Sequence, residues 1–187
     1  MIAANIAALI CISYSLAKYV AAEPVSENIT FEDFDVLVDK VNNLDKASLL
    51  SAGKIDGNGV ITLTRSEYMN LSVFIKQKGK GKSCVRIRIE ETWVKMDSTT
   101  SVVFSESHSY LSAPDIFDNT GTDGYLYVEG IVNATDNDNY TSIPVITGIA
   151  SGGSAPTNAT HVRLAIHLDA VQFNRYKVIW NMSNLPW

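Results

Sequence analysis

Hydrophobic and polar positions divide this chain of 187 residues into an apolar first segment and a long alternating remainder. Residues 1–22 contain one charged side chain, Lys18, whereas polar and apolar residues alternate through much of the chain after residue 59. Alternation with a period of two is typical of β-strands with one buried face, and it is clearest at residues 85–89 and 162–168. The predicted strands are residues 60–64, 70–76, 83–94, 101–110, 124–132, 142–149, 161–168 and 176–182.

Clusters of Gly, Asn, Asp and Ser separate these eight predicted strands, as they do in all-β domains. We therefore predict a mainly β fold, an antiparallel β-sandwich of jelly-roll type preceded by an apolar N-terminal helix and a short second helix. The expected organisation is an anchoring helix over residues 1–22, a linker and helical stem over residues 23–50, and a β-sandwich head over residues 51–187.

The short second helix is predicted from an N-cap residue and an apolar seam. Thr30 is the expected N-cap, and Glu32 and Asp33 follow it, where carboxylates complement the positive end of the helix dipole. The apolar residues that follow have the spacing of a coiled-coil seam: Phe34, Leu37, Val41 and Leu44. A helix this short is marginal alone, so it would either pack on its own domain or join protomers as an oligomer stem.

The apolar segment at residues 1–22 has three interpretations. A cleaved secretory signal fits the small residues at 20–22, but residues 1–5 hold no Lys or Arg. A membrane-spanning helix fits poorly, because the apolar run at residues 2–17 is shorter than the roughly 20 residues required. We favour a helix buried in protein, because its large apolar residues lie largely on one stripe with alanines between them. The anchoring residues would be Ile2, Ile6, Leu9, Leu16 and Val20.

Charge and cysteine content narrow the functional classes. The net charge of −5 argues against a nucleic-acid partner, because phosphate binding requires a basic surface. The two cysteines, Cys11 and Cys84, do not form the pattern of a disulfide framework. After the apolar segment the chain is still long enough to bury a core without disulfides or a metal.

Two short motifs imitate ligand-binding loops without meeting their requirements. The run ending in Gly81, Lys82 and Ser83 resembles a phosphate-binding loop, but Lys76 stands where that loop needs a glycine. The turn at residues 56–59 imitates part of a calcium-binding EF-hand. Cationic residues occupy the first and last ligand positions of that loop, namely Lys54 and Arg65.

Other candidate groups for catalysis or metal binding are scattered. Glu90 and Glu91 are neighbours in a predicted strand, so their carboxylates should point to opposite faces and cannot act as an acid–base pair. The histidines lie too far apart in sequence to indicate a metal site: His108, His161 and His167. We therefore expect no enzyme activity, no cofactor and no bound metal.

Two features of the sequence could concern glycans. Asn-x-Ser/Thr sequons occur at Asn28, Asn70, Asn133, Asn139, Asn158 and Asn181. In a secreted eukaryotic chain they would carry glycans, but Asn70 and Asn181 fall within or beside predicted strands, where glycans fit poorly. Tyr140, in the polar loop at residues 133–140, is the candidate for stacking on a bound glycan.

The overall layout resembles accessory structural proteins of phages and viruses. Residues 68–76, followed by a Gly/Lys hairpin and the alternation at 85–89, look like strands of fibre heads. The resemblance implies a homo-oligomer, with a trimer favoured, that binds other virion proteins through its N-terminal helix. It also implies a displayed head that recognises a host surface, such as a surface glycan, or caps an assembly.

We therefore expect a non-enzymatic virion structural protein of the fibre, decoration or adaptor type. The alternative is a secreted or membrane-tethered glycoprotein or pilin-like adhesin, which would be extracellular or at the cell surface. In that case the N-terminal segment would be cleaved or embedded in the membrane.

Overall fold

The computed structural model describes residues 34–79, 82–96, 101–104, 110–130, 132–133, 140–150 and 159–187. The predicted N-terminal helix, the N-cap at Thr30, and His108 therefore lie outside the described residues. So do the five predicted anchoring residues, Ile2, Ile6, Leu9, Leu16 and Val20. Within the described ranges, no helix is both long enough and apolar enough to cross a membrane.

The described part of the chain is mainly β, with two antiparallel sheets and a few short helices. The strands are β1 (Phe34–Val41), β2 (Ile61–Thr64), β3 (Val73–Gly79), β4 (Lys82–Met96), β5 (Ser101–Phe104), β6 (Tyr110–Ser112), β7 (Ile116–Asp118), β8 (Leu126–Val128), β9 (Val132–Asn133), β10 (Thr141–Ile149) and β11 (His161–Gln172). The helices are α1 (Lys46–Ser51), α2 (Arg65–Met69) and α3 (Tyr176–Ile179), and a 3₁₀ turn (Phe173–Arg175) precedes α3. The mainly β prediction is confirmed.

The longest strand, β4, organises the larger sheet. Sheet A has the strand order β1-β3-β10-β6, and sheet B has the order β2-β11-β4-β8-β7. Strand β4 has 15 residues and pairs with all 12 residues of β11 along one edge. Along its other edge it pairs in turn with β9, β8 and β5. The short connection between β3 and β4 carries the chain from sheet A to sheet B.

One large hydrophobic core takes side chains from both sheets. In β3, Val73 and Ile75 are fully buried and alternate with partly exposed residues. In sheet B, Ile87 of β4 and Leu164 of β11 belong to the same cluster and are also fully buried. Burial of each such side chain contributes about 1.5–3 kcal/mol, so this core provides most of the favourable free energy of folding.

The predicted strand at residues 176–182 is wrong. Residues Tyr176–Ile179 form helix α3, and the chain after Trp180 has no regular secondary structure. Tyr176 and Trp180 are both buried while Val178 is 74% exposed, which is a helical spacing of apolar contacts. A run of only four helical residues leaves too short a pattern to separate from strand alternation.

The helix predicted through Phe34, Leu37, Val41 and Leu44 is also wrong. Most of this segment is strand β1, which pairs antiparallel with β3 in sheet A. Asn42 and Asn43 then take the left-handed conformation, with φ of 51° and 62°, and Val41 and Leu44 exchange backbone hydrogen bonds across them. This two-residue turn is typical of a β-hairpin and ends the strand before Leu44.

A β-bulge interrupts the alternation of buried and outward side chains in this strand. Val36 and Val38 pair with inward positions of β3, as expected for a period of two. The register shifts between Val38 and Lys40, so Asp39 is an extra residue and Val41 returns to the buried face. The predicted seam therefore combined residues from both faces of the strand, because Leu37 pairs with Lys76 on the outer face while Val41 is buried. Phe34, Leu37 and Val41 are therefore part of sheet A, Leu44 follows the turn, and these residues form no helical seam.

A pair of neighbouring substitutions tests this assignment. We expect Val36→Ala to lower the free energy of unfolding by about 2 kcal/mol, because it removes buried methyl groups from the core. Leu37→Ala, on the opposite face, should cost less than about 1 kcal/mol. Urea unfolding of the full chain, followed by circular dichroism, measures both losses. A larger loss at Leu37 than at Val36 would contradict the strand and fit a helical seam.

Candidate functional site

Three strands of sheet A place charged and hydroxyl side chains side by side on their outer face. We call this set the sheet A polar face. The strand register brings Asp35 of β1 opposite Lys78 of β3, and Ser142 of β10 opposite Lys76 of β3. The side chains of this set that contact one another are Asp35, Asp39, Lys76, Lys78, Tyr140 and Ser142.

Tyr140 lies at the centre of the sheet A polar face. Its hydroxyl donates a hydrogen bond of 2.6 Å to Oδ2 of Asp35. The Nζ atoms of Lys76 and Lys78 lie 4.9 and 4.8 Å from the centre of its ring, within the range of cation–π attraction. The side chain is still 38% exposed. A sugar could therefore stack flat on this ring only if a lysine moved aside.

The bulge in β1 completes the same network. Asp39 accepts a hydrogen bond of 2.8 Å from the Ser142 hydroxyl and lies 3.6 Å from Nζ of Lys76. Exposed ion pairs of this kind contribute little to stability, about 0–1 kcal/mol each. Two carboxylates and two ammonium groups instead offer closely spaced acceptors and donors to a polar ligand. Sequence reasoning singled out Tyr140 but not the residues around it, because the three strands are distant in sequence.

On the inner side of sheet B, Glu91 ties several elements together. The hydroxyls of Tyr68 and Tyr110 both donate to its Oε1 atom at 2.5 Å, and Nε1 of Trp93 donates to its Oε2 atom at 3.3 Å. Tyr68 lies on α2 and Tyr110 on β6, so this carboxylate connects sheet B to α2 and sheet A. The rings of Tyr68 and Trp93 also meet edge to face, with centres 4.8 Å apart.

The surroundings of Glu91 make this cluster structural. Tyr68 is completely buried, so no ligand reaches its hydroxyl. Burial, together with the Glu91 carboxylate, raises the pKa of Tyr68 and of Tyr110 above the usual range, so both hydroxyls remain protonated donors. Glu90 faces the other way, where it contacts Arg88 and lies 3.4 Å from His167. The prediction that the two glutamates occupy opposite faces is confirmed.

A second, smaller hydrophobic cluster lies against sheet B and includes the C-terminal residues. Arg86 of β4 is enclosed there, with its guanidinium carbon 4.1 Å from the ring centre of Tyr125 and 4.6 Å from that of Trp180. Its Nη2 atom also lies 2.8 Å from Oδ2 of Asp169. Cation–π contacts on two rings and a charge-assisted hydrogen bond hold the arginine in place.

Tyr127 is the centre of this second cluster. Its ring centre lies 6.0 Å from that of Trp180 and 5.9 Å from that of Trp187. Burial raises the pKa of Tyr127 to about 12, and the hydrogen bond that its hydroxyl donates to Asp123 acts in the same direction. Cys84 is fully buried beside it, and burial raises the pKa of that thiol to about 11. Cys84 therefore packs as a small apolar residue, and its buried thiol is a poor nucleophile.

The described residues contain no group of three or more His, Cys, Asp or Glu side chains placed to hold a metal ion. Of the positions considered for an EF-hand, Lys54 pairs with Glu67 and Arg65 begins helix α2. Asp56 accepts backbone hydrogen bonds from Asn58 and Val60 within its own turn. Of the carboxylates around this turn, Asp56 is therefore engaged by its own turn and Glu67 by the ion pair with Lys54.

The role of Glu91 can be tested against its neighbour on the same strand. Glu91→Gln should lower the free energy of unfolding by about 2–4 kcal/mol, because a charged acceptor is lost and the amide NH₂ faces the Trp93 donor. Glu90→Gln is the matched control, and we expect a loss below about 0.5 kcal/mol from its exposed ion pairs. Guanidinium unfolding measures both. Equal losses would contradict a structural role for Glu91.

High pH should weaken the fold through the buried tyrosines. Folded-state pKa values of Tyr68, Tyr110 and Tyr127 are raised above the unfolded value of about 10. Their contribution to stability is therefore complete below about pH 10 and declines as the pH rises above it. For Tyr127 the decline should fall between about pH 10 and 12. Urea unfolding at a series of pH values should show a shallower decline in Tyr127→Phe than in the unaltered chain, and identical slopes would contradict this.

Known proteins provide no guide to these three clusters. Comparisons with protein-family models, with curated proteins and with solved structures found no match to this chain. Geometry alone therefore has to indicate what each of them does: the sheet A polar face, the cluster around Glu91, and the second hydrophobic cluster that encloses Arg86.

Proposed function

We propose that this chain is a non-enzymatic structural protein of a virion, of the fibre, decoration or adaptor type. In this proposal the two sheets pack as a β-sandwich of jelly-roll type and form a displayed head. The apolar residues 1–22 anchor the chain to other virion proteins and bring copies together as a homo-oligomer, with a trimer favoured by resemblance. The sheet A polar face is the surface that contacts a host, with a surface glycan as its ligand.

The observation that carries the attachment role is the placement of the sheet A polar face on paired strands. Asp35, Lys76 and Ser142 lie on three adjacent strands, so their relative positions are set by backbone pairing. Val36 and Ile75, on the other face of the same strands, are buried in the core. A ligand that binds such a surface orders few side chains, which reduces the entropic cost of binding.

The chemistry of this face suits a ligand rich in hydroxyl groups. Carboxylates accept hydrogen bonds from hydroxyls, while ammonium groups and the Ser142 hydroxyl donate to them. A sugar acid would also be attracted to Lys76 and Lys78. Tyr140 supplies an aromatic edge beside these groups, although its ring faces are approached by both lysines.

One experiment separates anchoring from attachment in the full chain. Substitution Leu9→Lys should abolish incorporation into purified particles, because it puts a charge on the apolar stripe. Tyr140→Ala should leave incorporation unchanged and reduce attachment to host cells about tenfold, equivalent to about 1.4 kcal/mol. Leu111→Ala is the matched control, because Leu111 is a large side chain, 49% exposed, on another strand of sheet A.

Mass spectrometry and cell-binding assays read out the two steps. Absence of the chain from purified particles would contradict the virion role. Presence in particles together with unchanged attachment of Tyr140→Ala would contradict the glycan-binding face alone.

A secreted or membrane-tethered glycoprotein or adhesin is the second candidate, and two sequons favour it. Asn70 and Asn181 were expected within or beside strands, but both are exposed and follow short helices. Asn181 takes a positive φ of 53° in the turn after α3. Both asparagines therefore lie outside regular strands, although Nδ2 of Asn70 donates a hydrogen bond of 3.0 Å to the Ser66 carbonyl, which leaves Asn181 as the better acceptor.

Glycosidase treatment of the chain from its native source tests this candidate. A fall in mass after treatment would favour the glycoprotein. Asn181→Gln should then make that mass loss smaller by the mass of one glycan. Asn43→Gln is the control, because Asn43 is exposed but lies outside any sequon. An unchanged mass that matches the uncleaved sequence would contradict this candidate.

A further inference from the structure

We propose that the C-terminal residues 173–187 form an exchangeable strap, which can leave the groove of its own chain and dock in the same groove of a second copy. The groove is the surface of sheet B that the strap covers. Its residues are Cys84, Arg86, Tyr125, Tyr127 and Val171. Strap exchange does not depend on the attachment role proposed above.

The strap packs outside the main core. The large cluster shared by the two sheets is separate from the cluster that contains Trp180 and the groove residues. On β4 the two clusters use opposite faces, since Val85 and Ile87 belong to the first cluster and Cys84 to the second. The two-sheet core is therefore complete before the strap is added, and release of the strap need not unfold it.

Side chains hold the end of the strap in place. Trp180, Met182 and Trp187 all contact Tyr127, the first and last through their rings and the second through a sulfur atom 3.8 Å from the tyrosine hydroxyl. Among the described residues, no backbone hydrogen bond joins residues 181–187 to a strand of either sheet. A segment without backbone pairing is the kind that opens locally at low free-energy cost.

The docked strap also contains a buried polar group without a hydrogen-bond partner. Trp180 is only 7% exposed, and its buried Nε1 atom has no hydrogen-bond partner among the described residues. A buried donor without a partner costs about 1–3 kcal/mol, which favours opening. On the outer side of the strap, Val178 and Ile179 are 74% and 43% exposed. The strap thus presents apolar side chains to water while it is docked on its own chain.

A second copy is the natural occupant, because it carries the same strap and the same groove. Exchange would preserve the contacts of Trp180 and Trp187 with Tyr127 and the enclosure of Arg86. The free-energy difference between the two arrangements is then set mainly by effective concentration, which is in the millimolar range for a short tether. Copies held side by side reach similar local concentrations, so exchange would be favoured in an assembly and rare in dilute solution.

Cys84 provides a direct reporter of groove coverage. Its thiol is fully buried beneath the strap, so a thiol reagent should label it slowly while the strap is docked. All copies carry Cys11→Ser, so that Cys84 is the only thiol. The acceptor copy also carries Trp180→Ala and Trp187→Ala, which remove two anchors of its strap. We expect its Cys84 to react at least about tenfold faster than in a copy with the intact strap.

A donor copy then tests docking between chains. The donor carries Cys84→Ser and Tyr127→Ala, so it has no thiol and a weakened groove but an intact strap. Added in excess to the acceptor, it should slow Cys84 labelling at least about threefold and elute with the acceptor as a dimer. The matched control donor carries Trp180→Ala and Trp187→Ala as well and should protect nothing.

Two results would overturn strap exchange. One is unchanged labelling of Cys84 in the acceptor, which would mean that the strap does not cover the groove. The other is fast labelling that no donor slows, which would mean that the strap acts only within its own chain. If the acceptor lacks a cooperative unfolding transition, a synthetic peptide of residues 173–187 is added to the unaltered chain instead. A one-to-one complex by native mass spectrometry supports exchange, and its absence at millimolar peptide contradicts it.

Discussion

The two faces of β4 impose the constraint on which the rest of the molecule depends. Val85, Ile87 and Trp93 point into the core shared with sheet A, whereas Cys84 and Arg86 point toward the C-terminal residues. Because side chains alternate strictly along a strand, a slip of one residue would exchange these two sets. Such a slip would bury Arg86 in an apolar core and expose several large hydrophobic residues. Pairing with β11 over 12 residues makes that slip costly.

Within this frame, the polar residues divide into two kinds. Glu91 has an inward position but reaches three donors, two tyrosine hydroxyls and one indole nitrogen. A carboxylate so placed stabilises one arrangement of α2, β4 and β6, because any other arrangement would leave some of these groups unpaired. The sheet A polar face is different, since its charges are partly exposed and the ion pair of Lys76 with Asp39 contributes little to stability.

The sequence predicted those elements whose pattern depends on local burial alone. The alternation at residues 85–89 and 162–168 identified β4 and β11, because each of these strands has one face in the core. The bulge at Asp39 was not predictable, because it becomes visible only when β1 is paired with β3. Helix α3 was missed for a related reason. Its apolar residues contact a groove on sheet B, and that surface is formed by distant parts of the chain. Tyr140 was identified from its loop. The side chains that contact it are on β1 and β3, namely Asp35, Lys76 and Lys78.

Gln77 and Ser83 have a further consequence for how this protein can vary. Both side chains are buried, and Nε2 of Gln77 donates a hydrogen bond of 2.8 Å to Oγ of Ser83 where the chain passes from one sheet to the other. This buried hydrogen bond holds the end of β3 against the start of β4, next to the connection between the two strands. The connection itself need not specify that alignment, so insertions between Gly79 and Lys82 should be tolerated. A longer peptide could therefore replace this connection, during evolution or by design, while the hydrogen bond between Gln77 and Ser83 is kept.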